Sequence, residues 1–140
     1  MSGDGRWQLQ KKIYETLTTA LATAGSGGAA VPVYDHVPQN APFEYVAIGD
    51  GHAEEWDTST ELGQDHQVDI HVFGRNDNLG KKRVLAMQKL IYDALHDATL
   101  ALDAGAALVQ ILCTLQTAFQ EPDSKTWHGV CRFDALTAEA

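Results

Sequence analysis

Apolar side chains at Leu9, Ile13, Leu17, Ala20, Leu21 and Ala24 recur at the spacing of one helix face and predict an amphipathic helix over residues 6–24, ended by Gly25. The glycine-rich stretch 25–30 is a flexible connection, too short to separate domains. Extended segments follow at 31–36, where Pro32 marks an edge, at 43–49 and at 65–74. In the last of these Val68, Ile70 and Val72 alternate with Gln67, Asp69 and His71, so one face is buried and the other polar, with Phe73 on the polar side by parity. Asn76, Asp77 and Asn78 offer caps for a second helix over 79–97, whose apolar stripe is Val84, Met87, Ile91, Ala94, Leu95 and Ala98. Two further strands, 108–119 and 126–136, are joined by a turn built on Pro122 and Asp123.

The order α-β-β-β-α-β-β, with two helical stripes and one sheet to cover, predicts a two-layer α+β domain in which both helices pack on one face of a mainly antiparallel sheet. The opposite face then carries Gln67, Asp69 and His71 from the third strand and His128, Arg132 and Asp134 from the last. That polar surface is either solvated, subunit-facing or the lining of a lumen. The 140 residues make one domain, with residues 1–5 and 137–140 expected to be flexible. A chain of this size buries roughly two-thirds of its unfolded surface and needs neither disulfide nor metal for stability. Nineteen acidic against ten basic residues leave a net charge of −9, the wrong sign for gripping a polyanion. No stretch is long and apolar enough for a membrane span, and the N-terminal residues lack the apolar core of a signal peptide, so no membrane partner is expected.

Five groups of residues carry a resemblance. Val33-Tyr34-Asp35-His36-Val37-Pro38, Tyr45-Val46-Ala47-Ile48-Gly49, Asp69-Ile70-His71-Val72-Phe73, and Phe119-Gln120-Glu121-Pro122-Asp123 followed by His128-Gly129-Val130-Cys131-Arg132-Phe133 resemble, in order, the small phage tail-completion or tail-terminator proteins, which also occur in phage-like gene transfer agents. The resemblance runs from about Leu9 to Ala135; Ser124 and Lys125 stand where the family's hairpin often has Pro-Asp-Gly. It implies a structural protein rather than an enzyme: a homo-oligomeric ring, hexamer favoured, at the head-proximal end of the tail. Such a ring stops the tail tube's growth, meets the tail tube protein and the head-tail connector, and lets DNA pass without specific binding. The resemblance further implies assembly in the host bacterial cytoplasm and a final place in the virion or phage-like particle. Six copies at −9 each would carry −54, which suits a conduit that does not hold DNA.

Two other readings compete with the ring: a small dimeric α+β binding protein, and a metal-dependent hydrolase using the acidic stretch Asp50 to Asp65. That stretch holds six carboxylates and no Lys or Arg, but Glu55 stands where a calcium loop needs glycine. It reads instead as a long hairpin loop anchored by Trp56, an interaction element whose Glu54, Glu55, Asp57 and Glu61 would meet Arg75, Lys81, Lys82 or Arg83 of a neighbour. The histidines lack metal-ligand spacing, and His66 and His71 point to opposite faces of one strand. No nucleophile elbow, Walker loop or dinucleotide fingerprint occurs, so no catalytic residue, metal or cofactor is assigned. Cys113 and Cys131 fall on the apolar side of the final strands and read as free thiols rather than a disulfide.

Overall fold

The computed structural model describes residues 5–25, 28–41, 44–57, 63–75, 80–102, 106–123 and 125–138. The elements are α1 (Arg6–Ala20), β1 (Val33–Tyr34), β2 (Tyr45–Glu55), β3 (Gly63–Arg75), α2 (Gly80–Leu95), β4 (Ala107–Gln120) and β5 (Thr126–Ala138), in the expected order. They form a five-stranded sheet, β1-β2-β3-β5-β4, antiparallel throughout except for the short parallel pairing of β1 with β2.

Both helices lie on one face of this sheet. Leu9, Ile13 and Leu17 of α1 and Val84, Met87, Ile91 and Leu95 of α2 bury against Val46, Ile70, Val72, Ile111 and Phe133. The apolar stripe of α1 therefore ends where the helix does, with Leu21 as its C-terminal cap and fully buried; residues 22–24 belong to a turn rather than to helix. Asp97, at φ 54°, turns the chain out of α2, a left-handed conformation that Asp tolerates, and its N–H donates to Ile111 O at 2.7 Å. Gly129 on β5 brings α2 close: a Cβ there would stand 2.6 Å from Gln88 Nε2 and 2.7 Å from Val84 Cγ1. Gln88, a polar residue outside the apolar stripe, is buried and donates through Nε2 to Thr117 O at 2.8 Å.

Four expectations need correction. The long acidic loop is mostly strand: Glu54 pairs with Asp65 and Glu55 with Gln64, so β2 and β3 form one long hairpin connected by residues 56–62. The extended segment 43–49 does not stop at Gly49: the two glycines of Gly49-Asp50-Gly51 sit where the β2–β3 register shifts and the strand continues past the bulge. Thr137 and Ala138 are not a flexible tail but the end of β5, opposite Gln64 and Gly63, and Gly5 is buried with its N–H donating to Gln64 Oε1 at 2.9 Å. Residues 1–4 and 139–140, like the proposed caps 76–78, lie outside the described residues. Finally, β4 does not keep a single parity. A register shift between Cys113 and Leu115 moves Leu115 to the open face, opposite Arg132, whereas Ile111 and Cys113 oppose Ala135 and Phe133 on the helix side.

Candidate functional site

The sheet face away from the helices is left uncovered by the described elements. Its rows follow from the registers. Gln67 stands opposite Asp134, Asp69 opposite Arg132, and Phe73 opposite His128, so the six residues placed there by parity do share that face. Arg132 Nε donates to Asp69 Oδ1 at 3.0 Å and its Nη2 to Oδ2 at 3.4 Å, and this bond and the carboxylate's charge raise the guanidinium's pKa. His71 Nδ1 lies 2.8 Å from His128 Nε2, and His128 Nδ1 lies 2.6 Å from Glu121 Oε1. A proton must sit between the two imidazoles, so the chain Glu121, His128, His71 fixes both rings.

Around that chain the face is aromatic from one edge to the other. Tyr34 meets Tyr45 edge-on at 5.9 Å between centroids, Tyr45 stacks on Phe73 at 4.9 Å, and Phe73 stacks on His128 at 4.3 Å. Phe119 closes the row at 4.8 Å from His128. One residue from each of the five strands contributes, a ladder of cross-strand pairs of the kind that stiffens a sheet. Burial raises the pKa of the Tyr45 hydroxyl, with Tyr34 adding to the effect, so it stays a hydrogen-bond donor across the physiological range. Gly49 keeps room for this arrangement, since a Cβ there would stand 2.7 Å from His71 Nε2. Sequence parity placed Phe73 here but missed Tyr34, Tyr45, Phe119 and Glu121, because only the strand order and register bring them to one row; the out-of-phase Phe73 was the available signal.

The other candidate residues divide between the two ends of the sheet. Glu54 and Glu55 end β2, and Trp56 and Asp57 follow, all exposed, with Asp57 Oδ1 accepting from Gly63 N at 3.1 Å. Glu61 lies outside the described residues. The basic group is at the opposite end of β3, where Arg75 ends the strand and Lys81 and Lys82 occupy the exposed first turn of α2. Thirteen residues of strand at about 3.3 Å each put roughly 40 Å between the two ends. Lys81 Nζ sits 5.6 Å from the Trp127 ring. Arg83 is engaged within the chain: its Nε and Nη2 each lie 2.9 Å from a Glu44 carboxylate oxygen, and Nη2 donates to Ala24 O. Both cysteines are free thiols; burial pushes Cys131 up to about 12, with the nearby Cys113 adding to the shift. Among the described residues no group of three or more His, Cys, Asp or Glu is arranged to hold a metal ion.

The sequence profile of the family described as "Tail completion protein gp17" matches residues 11–138. In structure, the chain is similar to one in the virion of a native gene transfer agent particle, with 25% identity, a TM-score of 0.76 and 98% of each chain covered. No curated protein sequence matches it.

Proposed function

The chain belongs to the tail completion protein gp17 family, and from that premise we propose that it forms a homo-oligomeric ring, six copies favoured, that caps the tail tube, ends its elongation and joins it to the head connector. It is a structural protein of tail assembly, and its place is the virion tail. The proposed role is mechanical rather than catalytic: the ring offers surfaces and leaves DNA a passage without specific binding. The observation that carries this reading is the open sheet face with its five-strand aromatic row, an ordered surface that one chain alone leaves uncovered. Negative-stain microscopy of the purified chain tests it. Sixfold annuli are the expected result, and particles of single-chain size at every concentration and in the presence of tail tubes would refute the ring.

The charged ends suggest how such a ring meets what lies above and below it. The carboxylates of Glu54, Glu55 and Asp57 and the cations of Lys81 and Lys82 sit at opposite ends of the long hairpin. Copies placed side by side in one orientation keep like ends level, so the acidic tip meets opposite charge on a partner stacked along the tail axis. Glu54→Lys or Trp56→Ala should therefore lower attachment to the tube or connector while the chain's own melting temperature stays unchanged. Normal attachment of both variants would leave the tip a solvated turn.

A further inference from the structure

We propose that neighbouring copies meet side by side and head to tail, the β4–α2 flank of one against the β1–α1 flank of the next, with Ala118 hydrogen-bonded across the boundary to Val33. This rests on the homo-oligomer reading above and names the contact that would build it.

The two flanks hold most of the chain's unexplained exposed apolar surface. On one flank Trp7 is 64% exposed and Tyr14 42%, and with Val33, Tyr34 and His36 they line a groove of about 430 Å³ between α1 and the edge strand β1. On the other flank Leu85 and Tyr92 of α2 line a groove with Gln88 and Gln116, and Phe119 is 41% exposed on β4. The fourteen residues of β4 include no charged side chain. A chain of net −9 repels its own copy wherever charges face each other, so an uncharged edge is where a second copy approaches at least cost. A long, uncharged edge strand without proline is also what folded chains ordinarily blunt unless it is meant to be paired.

The backbone fits the pairing. In β4 the first half of the edge is already capped within the chain, Ile111 O accepting from Asp97 N and Cys113 N donating to His96 Nδ1 at 3.0 Å. Beyond the bulge the other set of residues turns outward. Glu121 N donates to Thr126 O, so Phe119 and Thr117, at even steps from Glu121, also direct their backbone groups to β5, and Ala118 and Gln116 direct theirs to the open edge. On the opposite edge Val46 N donates to Pro32 O, so Pro32 and Tyr34 face β2 and Val33 faces out. One row of the sheet runs Val33, Val46, Val72, Gly129, Ala118. A second copy set level with the first thus brings outward-facing Ala118 opposite outward-facing Val33. The strand directions agree as well, because β4 runs antiparallel to β2 and hence to β1. The aromatic row lies one step further along and would continue from Phe119 of one copy toward Tyr34 of the next. Such a contact is heterologous, with different patches on the two sides, and heterologous contacts are the ones that close into rings.

In this register Thr117 and Tyr34 form a non-hydrogen-bonded cross-strand pair, the closer kind, within reach of a disulfide. The double variant Thr117→Cys/Tyr34→Cys, oxidised in the assembled state, should give a ladder of linked chains on a non-reducing gel, while each single variant gives none beyond the wild-type background of Cys113 and Cys131. Gln116→Pro, which removes an outward N–H and no backbone bond to β5, should weaken association roughly tenfold, with Gln116→Ala as the control that keeps the N–H and equally loses the side-chain bond to Cys131. Circular dichroism melts confirm that the monomers fold. Linked dimers from Thr117→Cys alone would mean a twofold β4–β4 contact and overturn the proposal. So would rings that form normally yet give no ladder, an outcome that leaves the ring standing and removes only this contact. A wild-type chain that never associates would remove the ring itself.

Discussion

On the helix side of the sheet Ile70, Val72, Ile111, Cys131 and Phe133 are shut away from solvent; one residue along the same strands, the other side carries His71, His128, Arg132 and Asp134, half-buried or exposed. The strands and their hydrogen bonds are common to both faces, so the contrast lies wholly in the side chains and in what covers them. The covered face is fixed by volume, with close contacts between α2 and Gly129 leaving no slack. The open face is fixed by direction: an Arg–Asp pair, two imidazoles sharing a proton, and stacked rings whose orientation rather than bulk defines the surface. One face should therefore answer to substitution through stability and the other through association.

The sharpest way to break that contrast is in the core. Leu95→Ala removes a fully buried side chain and should lower unfolding free energy by about 2–5 kcal/mol in chemical denaturation; a loss under about 0.5 kcal/mol would place Leu95 outside the core. Gly129→Ala puts a methyl group against Val84 and Gln88 and should cost about 1–3 kcal/mol by overpacking, with a stabilised protein contradicting the close seat of α2. The thiols sharpen the comparison by chemistry. Cys131 on the covered face should resist alkylation in the native chain and titrate fully on unfolding without reductant, alongside Cys113. Because its folded pKa is raised to about 12, Cys131 favours the folded state fully below its unfolded pKa of ~8.5, and that contribution falls away as pH climbs from there toward 12. Cys131→Ala should flatten the alkaline loss of stability, and an unchanged slope would count against it. The smallest effect belongs to the open face: Arg132→Ala breaks the pair with Asp69, and since the Arg132 side chain is 39% exposed the monomer's melting temperature should barely move.

How far the sequence reveals this architecture depends on which information each feature needs. The alternation at Val68, Ile70 and Val72, the stripe of α2 and the Pro122-Asp123 turn are local, and period alone finds them; Asp123 Oδ1 indeed accepts from the N–H groups of Lys125 and Thr126. Parity likewise put Asp69, His71, His128 and Arg132 on the open face, because a strand with one buried side has no choice about the other. The aromatic row escaped because its members come from five strands, and no period within one strand reports the register of another. The extension of β2 through Gly49 and Gly51 escaped for a different reason: Gly49 relieves crowding against His71 rather than making a turn, and the two uses leave the same residue in the sequence. Arg83 reads as one more cation of an exposed group, and only the tertiary fold brings Glu44 and Ala24 O to it.

The register shift at Thr114 gives β4 an unusual relation to changes in its own length. Before the shift, odd-numbered positions such as Ile111 and Cys113 look toward the helices; after it, Leu115, Thr117 and Phe119 look the other way. Thr114 acts on the strand as a frameshift acts on a reading frame, and it is a shift the two halves have been written to match. Loss of that one residue would restore a regular ladder and leave the inner and outer assignments of the six residues that follow as they are, because Leu115 would then follow Cys113 directly and still stand opposite Arg132. A deletion at a paired position beyond it, such as Gln116, would instead scramble the message, turning Phe119 inward and Ala118 outward.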